Sequence, residues 1–248
     1  MLTPMVAADS EAQESDSSSQ EQSRLVARES RTRSEIARSP WRVTQLGLKR
    51  AVDFVGAMVG FTLLSPILLI VAVIIRHNSA GPVFFRQQRI GRHGKIFVMY
   101  KFRTMVVDAE HRQKDLEALN ESEGGGLFKI RHDPRITRIG IFLRKTSLDE
   151  LPQLVNVLIG EMSLVGPRPL PIRDCECLKS INPEGYQRRL EVVPGITGSW
   201  QVAGRSRIGA EKMLELDGQY VDDWSFAKDI ILLIRTVKVL IFDGGGAF

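Results

Sequence analysis

The chain has 248 residues, and 34 Lys and Arg against 29 Asp and Glu give it a net charge of +5. This length suits one medium-sized domain with short attachments. Only 7% of the residues are aromatic and no nucleic-acid-binding motif occurs, so nucleic acid is not expected as a partner. Seven acids and five arginines lie within residues 1–38, so the basic excess belongs to the rest of the chain. A basic body of this kind favours anionic lipid head groups or a phosphorylated substrate.

The first 40 residues are predicted to form a disordered tail. They are rich in Ser, Glu, Gln and Arg, and such a composition buries too little apolar surface to offset the entropy lost on ordering. Residues 41–77 follow as a membrane-associated segment. Trp41 opens an interfacial lead-in to it, because tryptophan is suited to the head-group zone of a bilayer.

The long apolar run of the chain, Ala51–Ile75, carries a proline near its middle and Asp53 as its one charge. About 20 apolar residues span a bilayer core of about 30 Å, so the run is long enough to cross. Ser65-Pro66 divides it into halves, each about 16 Å long as a helix. Proline also removes one helical hydrogen bond.

Three interpretations of this run stay open on physical grounds. It could be a re-entrant helix, broken at Ser65-Pro66, that enters and leaves by the same face, or a kinked helix that spans the bilayer, or a buried helix of a soluble protein. Basic residues at both ends favour re-entry. Asp53 is costly inside a membrane segment and is expected to have a partner, either Arg50 or a basic residue of the domain.

Residues 78–226 are predicted to form a small domain, which the family resemblance described below would make the cytoplasmic catalytic domain. Val83–Phe85 and Ile96–Tyr100 flank a turn-like sequence and predict a β-hairpin. Residues Ala109–Glu121 are expected to form an exposed polar helix. Leu151–Ile159 are expected to form an apolar helix that stops at Gly160.

The last predicted element, Ala227–Phe242, is apolar, with basic residues near helical spacing. We expect residues 227–248 to form an amphipathic helix and tail on the membrane surface. The alternative is a helix that packs on the core of the domain. The expected fold class is α+β, mainly helical, with a re-entrant membrane helix hairpin, a small domain with a β-hairpin and a C-terminal interfacial helix.

The chain has three basic clusters; two of them flank one acidic pair, and the third, Arg188-Arg189, is smaller. Val83–Val107 contain six bases and no acid, and Lys129–Lys145 contain several arginines against a single Asp133. Arginine forks suit phosphate oxygens, and several that converge on one point suit a diphosphate. The alternative is general attraction to anionic lipid.

The acidic pair, Asp149-Glu150, has two interpretations. Ser147 followed three residues later by Glu150 matches a helix capping box. The pair also lies between Arg144 and Arg168, at the point where Pro152 predicts the start of a helix. In that setting it could line a phosphate pocket, where an aspartate can attack phosphorus and Mg²⁺ can bridge carboxylate and phosphate oxygens.

A rigid loop, Pro194–Arg205, contains a glutamine and a large aromatic residue. It could bind a base, a sugar or a diphosphate, or it could fold in this way for structural reasons alone. It is not a Walker loop, because it lacks the Gly-Lys-Ser/Thr ending.

Taken together, these segments resemble the bacterial sugar transferase family, the monotopic polyprenyl-phosphate phosphoglycosyl transferases of the exopolysaccharide-initiating type. The resemblance covers roughly residues 48–240. The stretches that carry it are Lys49–Asp53, Leu64–Pro66, Tyr100–Met105, Asp133–Arg135, Leu143–Leu154, Gly160–Pro169 and Pro194–Arg205.

The resemblance implies transfer of a sugar-1-phosphate from a nucleotide diphosphate sugar, usually a UDP-sugar, to undecaprenyl phosphate, with release of UMP. It implies Asp149 as the nucleophile, Glu150 as its helper or as a second metal ligand, and Mg²⁺ as the cofactor. The residues implied around the phosphates are Lys101, Arg103, Arg144 and Arg168. The nucleotide-sugar loop would use Thr197, Trp200, Gln201 and Arg205.

The resemblance further implies a monotopic enzyme on the cytoplasmic face of the bacterial inner membrane, with Ser65-Pro66 as the re-entrant break. A homodimer is possible. The competing hypothesis is a non-catalytic, membrane-attached interaction protein that recruits anionic lipid or an acidic partner. It would account for the charge, but it leaves the proximity of Arg144, Asp149-Glu150 and Arg168 without a reason.

Overall fold

A computed structural model of the chain describes residues 40–116, 119–121, 130, 132–204 and 208–242. The predicted disorder of the N-terminal tail falls outside these ranges. The helices are α1 (Pro40–Asn78), α2 (Arg138–Thr146), α3 (Gln153–Ile159), α4 (Ile172–Ile181), α5 (Pro183–Arg189), α6 (Ser199–Ala203), α7 (Ala210–Asp222) and α8 (Phe226–Phe242). The strands are β1 (Phe84–Ile90), β2 (Ile96–Phe102), β3 (Ser163–Val165) and β4 (Gly195–Thr197). The predicted mainly helical composition is confirmed.

Helix α1 continues without interruption through Pro66. Proline has no N–H to donate to the carbonyl four residues earlier, which is that of Thr62. The hydroxyl of Ser65 donates to this carbonyl instead, at 2.8 Å. The Ser-Pro pair therefore restores the hydrogen bond that the proline removes, and the re-entrant path through the membrane stays a prediction.

Within the described part of the chain, α1 is the one helix that is long and apolar enough to cross a membrane. Its large apolar side chains are mostly exposed, and Leu63 and Leu69 reach 72% and 68%. A helix of a soluble core would bury these side chains, so that interpretation is wrong. The exposed apolar surface indicates association with a membrane.

From Arg50 onward, α1 belongs to one compact unit with the rest of the described chain. The guanidinium of Arg50 donates to the carbonyls of Val157 and Leu158, at 2.6 and 3.0 Å. The carboxylate of Asp53 accepts from the backbone N–H of Leu164 at 3.0 Å. Asp53 thus has a partner as expected, but the partner is a backbone amide and not a basic side chain.

Both halves of α1 pack on the domain. In the first half, Ala57 is buried in a cluster that includes Leu154. In the second half, Val71 and Ile75 are buried in a cluster that includes Phe102. The helix therefore contacts the domain on each side of Pro66.

The predicted β-hairpin is confirmed, with longer strands than expected. β1 pairs with β2 antiparallel, from Phe84 opposite Phe102 to Ile90 opposite Ile96. The outer edge of β2 is covered by the fully buried side chain of Asn156. This amide accepts from the N–H of Tyr100 at 3.1 Å and donates to the carbonyl of Val98 at 2.7 Å. The contact holds β2 against α3.

The polar helix expected at Ala109–Glu121 is wrong for the residues described there. They form turns and one short 3-10 helix, His111–Gln113. In an α-helix the carbonyl of Ala109 would accept from Gln113. It accepts instead from Arg135 at 3.0 Å, so a tertiary contact replaces the helical bond.

The core of the C-terminal half lies around a short parallel pair, β3 with β4. The two strands approach so closely that a Cβ at Gly195 would lie 2.1 Å from the amide nitrogen of Gly166. Helices α4 to α7 surround a core cluster that comprises Leu170, Cys175, Leu178, Tyr186, Trp200, Met213 and Leu214. The predicted apolar helix before Gly160 is confirmed as α3, and Gly160 ends it with a φ of +90°.

Helix α8 has two different faces. On one face Leu232 and Asp229 are buried against the domain. The Asp229 carboxylate accepts from the Tyr220 hydroxyl at 2.8 Å and from the Trp224 indole at 3.1 Å. The other face exposes Ile230, Ile231, Ile234, Val237, Leu240 and Phe242. The helix thus packs on the core as in the alternative interpretation, and its contact with the membrane surface stays a prediction.

Candidate active site

Asp149 and Glu150 lie on a 3-10 turn, Leu148–Glu150, between α2 and α3. Ser147 starts this turn with a left-handed φ of +56°, and its side chain makes no capping hydrogen bond. The capping-box interpretation is therefore wrong. Pro152 directly precedes α3, as expected for a proline at a helix start.

Glu150 is held by two cations from different elements. Nζ of Lys101, in β2, lies 2.8 Å from its Oε1. Nη2 of Arg168, in the loop between β3 and α4, lies 2.5 Å from the same oxygen, and Nη1 lies 3.4 Å from Oε2. The charged side chains around Glu150 therefore come together from three distant parts of the sequence.

The two carboxyls of the pair differ in their acidity. Burial raises the pKa of Asp149 to about 6, the negative charge of Glu150 adds to this shift, and the nearby cations oppose it. Burial alone would raise the pKa of Glu150 too, but Arg168 and Lys101 hold it well below its usual range. Glu150 is consequently the fixed anion, and Asp149 is the carboxyl that titrates near neutral pH.

The guanidinium groups of Arg144 and Arg103 are held by different neighbours. Nε of Arg144 donates to the Thr104 hydroxyl at 3.0 Å. Burial lowers the pKa of Arg144, and the charge of Asp149 opposes this shift. Nη2 of Arg103 donates to the carbonyl and the hydroxyl of Ser79, both at 2.8 Å. Two further nitrogens of Arg103 are buried without an assigned partner among the described residues.

One cavity of about 1450 Å³ collects nearly all the predicted site residues. Its lining includes Lys101, Arg103, Arg144, Asp149, Glu150, Arg168, Thr197, Trp200 and Gln201. Arg205 lies outside the described residues. Ser65 and Pro66 lie in α1 and do not line the cavity.

The loop residues in this cavity differ in their polar contacts. The Thr197 hydroxyl bonds that of Thr236 in α8 at 2.6 Å. Nε1 of Trp200 and Oε1 of Gln201 are buried without an assigned partner in the described part of the chain.

The sequence model of the bacterial sugar transferase family matches residues 44–243. The chain belongs to this family. Among its relatives, a galactosyl transferase, CpsE, of Streptococcus agalactiae is 44% identical over 206 residues, which are 83% of this chain and 44% of that protein. A UDP-glucose:undecaprenyl-phosphate glucose-1-phosphate transferase of Escherichia coli is 42% identical over 195 residues, 77% of this chain and 39% of that protein.

The exopolysaccharide production protein ExoY of Rhizobium meliloti is 36% identical over 200 residues, 79% of this chain and 87% of the relative. The chain thus spans less than half of the first two transferases and most of the third. The family membership expected from the motifs is confirmed.

Within this sugar transferase fold, the sequence motifs did not reveal two residues that support the site. Arg89 donates to the carbonyl of Pro169 at 3.1 Å, and Arg189 donates to the carbonyl of Arg168 at 2.6 Å. Both had been read only as members of basic clusters. Only their burial distinguishes these two arginines from surface bases, and no local pattern in the sequence predicts that burial.

The described residues contain no group of three or more His, Cys, Asp or Glu side chains that could hold a metal by themselves. Mg²⁺ commonly binds through one or two carboxylates together with substrate phosphates and water. Asp149 suits that mode, since no hydrogen bond from another described residue reaches its carboxylate and it lines the cavity. Both oxygens of Glu150 already contact cations, so Glu150 suits it less well.

Proposed function

We propose that this chain transfers a sugar-1-phosphate from a UDP-sugar to undecaprenyl phosphate, through a phospho-sugar intermediate on Asp149. The observation that carries the proposal is the asymmetry of the pair: no described side chain forms an ion pair with the buried carboxylate of Asp149, whereas two cations hold the adjacent Glu150. The name of the relative from Escherichia coli describes such a transfer, from UDP-glucose to undecaprenyl phosphate, and the relative from Streptococcus agalactiae is named a galactosyl transferase. The UDP-sugar, the lipid acceptor and the intermediate are part of the proposal.

In the first step, an oxygen of Asp149 attacks the phosphorus that bears the sugar. The bond between this phosphorus and the bridging oxygen breaks, and UMP leaves with that oxygen. In the second step, an oxygen of undecaprenyl phosphate attacks the same phosphorus. The acyl phosphate bond breaks, Asp149 is regenerated as a carboxylate, and undecaprenyl diphosphate sugar is the product.

The remaining residues of the site would neutralise the charge of the phosphates and position the substrates. Phosphoryl transfer depends mainly on alignment and on compensation of charge. Lys101, Arg144 and Arg168 supply positive charge around the cavity. Glu150 has too low a pKa to be an effective base, so its proposed role is to orient Lys101 and Arg168. Mg²⁺, held by Asp149 and the substrate phosphates, would supply further charge neutralisation.

The proposed location is the cytoplasmic face of the inner membrane, with α1 entering and leaving by that face. The support is that Asp53 and Ala57 before Pro66, and Val71 and Ile75 after it, contact the same domain. A helix that crosses the bilayer would place one of these contacts on the far side. The exposed apolar face of α8 would lie on the same surface.

The activity is tested by UMP release from a panel of UDP-sugars with undecaprenyl phosphate present. We expect release by the wild-type chain, none with Asp149→Asn, and labelled phospho-sugar trapped on the wild-type protein alone. Turnover by the Asn variant would contradict the assignment of the nucleophile. The absence of UMP release with every sugar would favour a membrane-attached interaction protein.

The topology has a separate test. In a chain with Cys175→Ser and Cys177→Ser, single cysteines at residues 1 and 248 are labelled with an impermeant reagent. Both should react from the cytoplasmic side. Labelling on opposite faces would rule out the re-entrant path.

A further inference from the structure

The segment Gly166–Pro169, which carries Arg168, is fixed almost entirely through its carbonyl groups. Pro167 and Pro169 have no N–H, so they cannot donate to a neighbouring strand. The N–H of Gly166 donates to the carbonyl of Thr197 at 2.8 Å, and the carbonyl of Pro167 accepts from Gly195 at 2.9 Å. These two bonds anchor the first half of the segment to β4.

The second half is anchored by side chains. Nη2 of Arg189 donates to the carbonyl of Arg168 at 2.6 Å, and Nη1 of Arg89 donates to the carbonyl of Pro169 at 3.1 Å. Arginine suits this task because its guanidinium carries several donors: Nη2 of Arg89 also donates to Gln87 at 2.5 Å. The residue that contacts Glu150 is therefore held at its own carbonyl by Arg189.

Arg189 also forms an ion pair with a buried acid. Its Nη2 lies 3.2 Å from Oδ2 of Asp217 in α7, and the two side chains are only 4% and 2% exposed. The two groups lack hydrogen-bond geometry, so the contact is one of charge. Buried ion pairs are a weak source of stability, because desolvation offsets most of the attraction. Positioning of the Arg168 backbone would explain why the chain keeps the Arg189–Asp217 pair.

We propose that Arg189, oriented by Asp217, is a positioning residue that fixes the direction of the Arg168 side chain toward Glu150. The connection runs from Asp217 through Arg189 to the Arg168 backbone, and from the Arg168 guanidinium to Glu150 beside Asp149. The proposal rests on the proposed function, since it assigns Arg189 a part in that reaction. Arg189 itself touches neither Glu150 nor Asp149.

A neighbouring ion pair provides a matched control. Arg188 in α5 pairs with Asp222 in α7, with Nε 2.9 Å from Oδ1. It joins the same two helices, but it lies at the surface and makes no contact with Gly166–Pro169. Its loss tests how far a link between α5 and α7 matters by itself.

The test uses the full chain in nanodiscs with three variants. Arg189→Lys keeps a charge opposite Asp217 but lacks the fork that reaches Arg168. Arg189→Met with Asp217→Leu replaces the buried pair by apolar side chains, a change that folds tend to tolerate. Arg188→Met with Asp222→Leu is the control.

We expect kcat for UMP release to fall about 10- to 100-fold in both Arg189 variants, with KM nearly unchanged, since small misplacements of catalytic groups have effects of this size. The control should keep wild-type kcat. In an Arg168→Gln background, the Arg189 substitutions should cause no further loss, because two residues that act through one contact are not additive. Additive losses would overturn the proposal.

Amide hydrogen exchange gives a readout that is independent of activity. Exchange in residues 163–171 should accelerate in both Arg189 variants and not in the control. Unchanged exchange would overturn the positioning role even if kcat fell. If the wild-type chain releases no UMP, the proposed function fails, while accelerated exchange still supports the anchor on Arg168.

Discussion

Oε1 of Glu150 receives two cations at once, Nη2 of Arg168 at 2.5 Å and Nζ of Lys101 at 2.8 Å. The adjacent Asp149 forms no ion pair with a described residue, although it is more deeply buried than Glu150, whose side chain is 20% exposed. The site therefore separates two neighbouring carboxyls into one that is neutralised and one that is available. Substitution of either carboxyl should therefore have its own effect on stability and on the pH dependence of the rate.

Asp149→Asn should stabilise the fold at neutral pH. Folding raises the pKa of Asp149 from 3.8 to about 6, so the folded state holds this proton more tightly than the unfolded state does. Stability then falls as pH rises through this interval, and the cost at pH 7.5 is about 3 kcal/mol. The variant should melt higher than wild type at pH 7.5, and the gain should shrink at pH 4.5.

The control for this prediction is Asp108→Asn, which removes an exposed carboxylate paired with Arg112. It should change the melting temperature little at either pH. A gain for Asp149→Asn of the same size at both pH values would contradict the assigned titration.

Glu150→Gln should move the acid limb of the pH–rate profile. The wild-type limb should lie near pH 6, where Asp149 must lose its proton to attack. Without the charge of Glu150, the pKa of Asp149 falls, and the limb shifts to lower pH. Turnover should also fall about 100-fold, because Lys101 and Arg168 lose the anion that orients them.

The measurement is the rate of UMP release between pH 4.5 and 8.5. Glu176→Gln, on the exposed face of α4, should leave the profile unchanged. A limb that moves to higher pH in Glu150→Gln would reverse the assigned roles of the two acids.

Local patterns were sufficient to predict the β1–β2 hairpin, the long apolar helix and α3. In each of these segments, alternation of apolar residues or an unbroken apolar run indicates the type of secondary structure. The helix expected at Ala109–Glu121 failed because Arg135 takes a carbonyl that the helix needed. A contact across this sequence distance leaves no sign in the pattern of the segment itself.

The candidate site was likewise predicted in part from local patterns, and the rest depends on contacts between distant residues. The spacing around Asp149-Glu150 and the family motifs identified the residues that line the cavity. The capping box was wrong because Lys101 and Arg168, far away in sequence, bind Glu150 more favourably than a backbone amide could. The sequence marks Arg189 only as part of a basic cluster, because a buried ion pair between two helices, such as that of Arg189 with Asp217, has no characteristic spacing.

Asn156→Leu should destabilise the domain by about 2–4 kcal/mol. The substitution leaves the Val98 carbonyl and the Tyr100 N–H without this partner at a buried strand edge, and each such group costs about 1–3 kcal/mol. Urea unfolding in detergent measures the change. Asn182→Ala, which removes only the N-cap of α5, should cost about 1 kcal/mol. Equal losses in the two variants would contradict the role of Asn156.

Gly195→Ala should separate β3 from β4. The new Cβ would meet the Gly166 nitrogen at 2.1 Å and the Thr197 carbonyl oxygen at 2.5 Å, so the backbone must shift, at about 1–3 kcal/mol. UMP release should fall with stability, because the shift moves the segment that carries Arg168. Gly209→Ala, whose Cβ would meet no atom within 4 Å, should alter neither. Wild-type activity in Gly195→Ala would refute the tight register.

The contacts of α1 also set an order of assembly during synthesis. Arg50 can form its hydrogen bond only after Val157, 107 residues later, has been synthesised. Asp53 likewise depends on Leu164, 111 residues later. At 5–20 residues per second, the ribosome needs roughly 5–20 s to make these partners. During this interval Asp53 has no Leu164 amide to accept from. A bilayer that covered the apolar helix in this interval would be displaced by the domain on one face of α1 only after residues 157–164 have been translated.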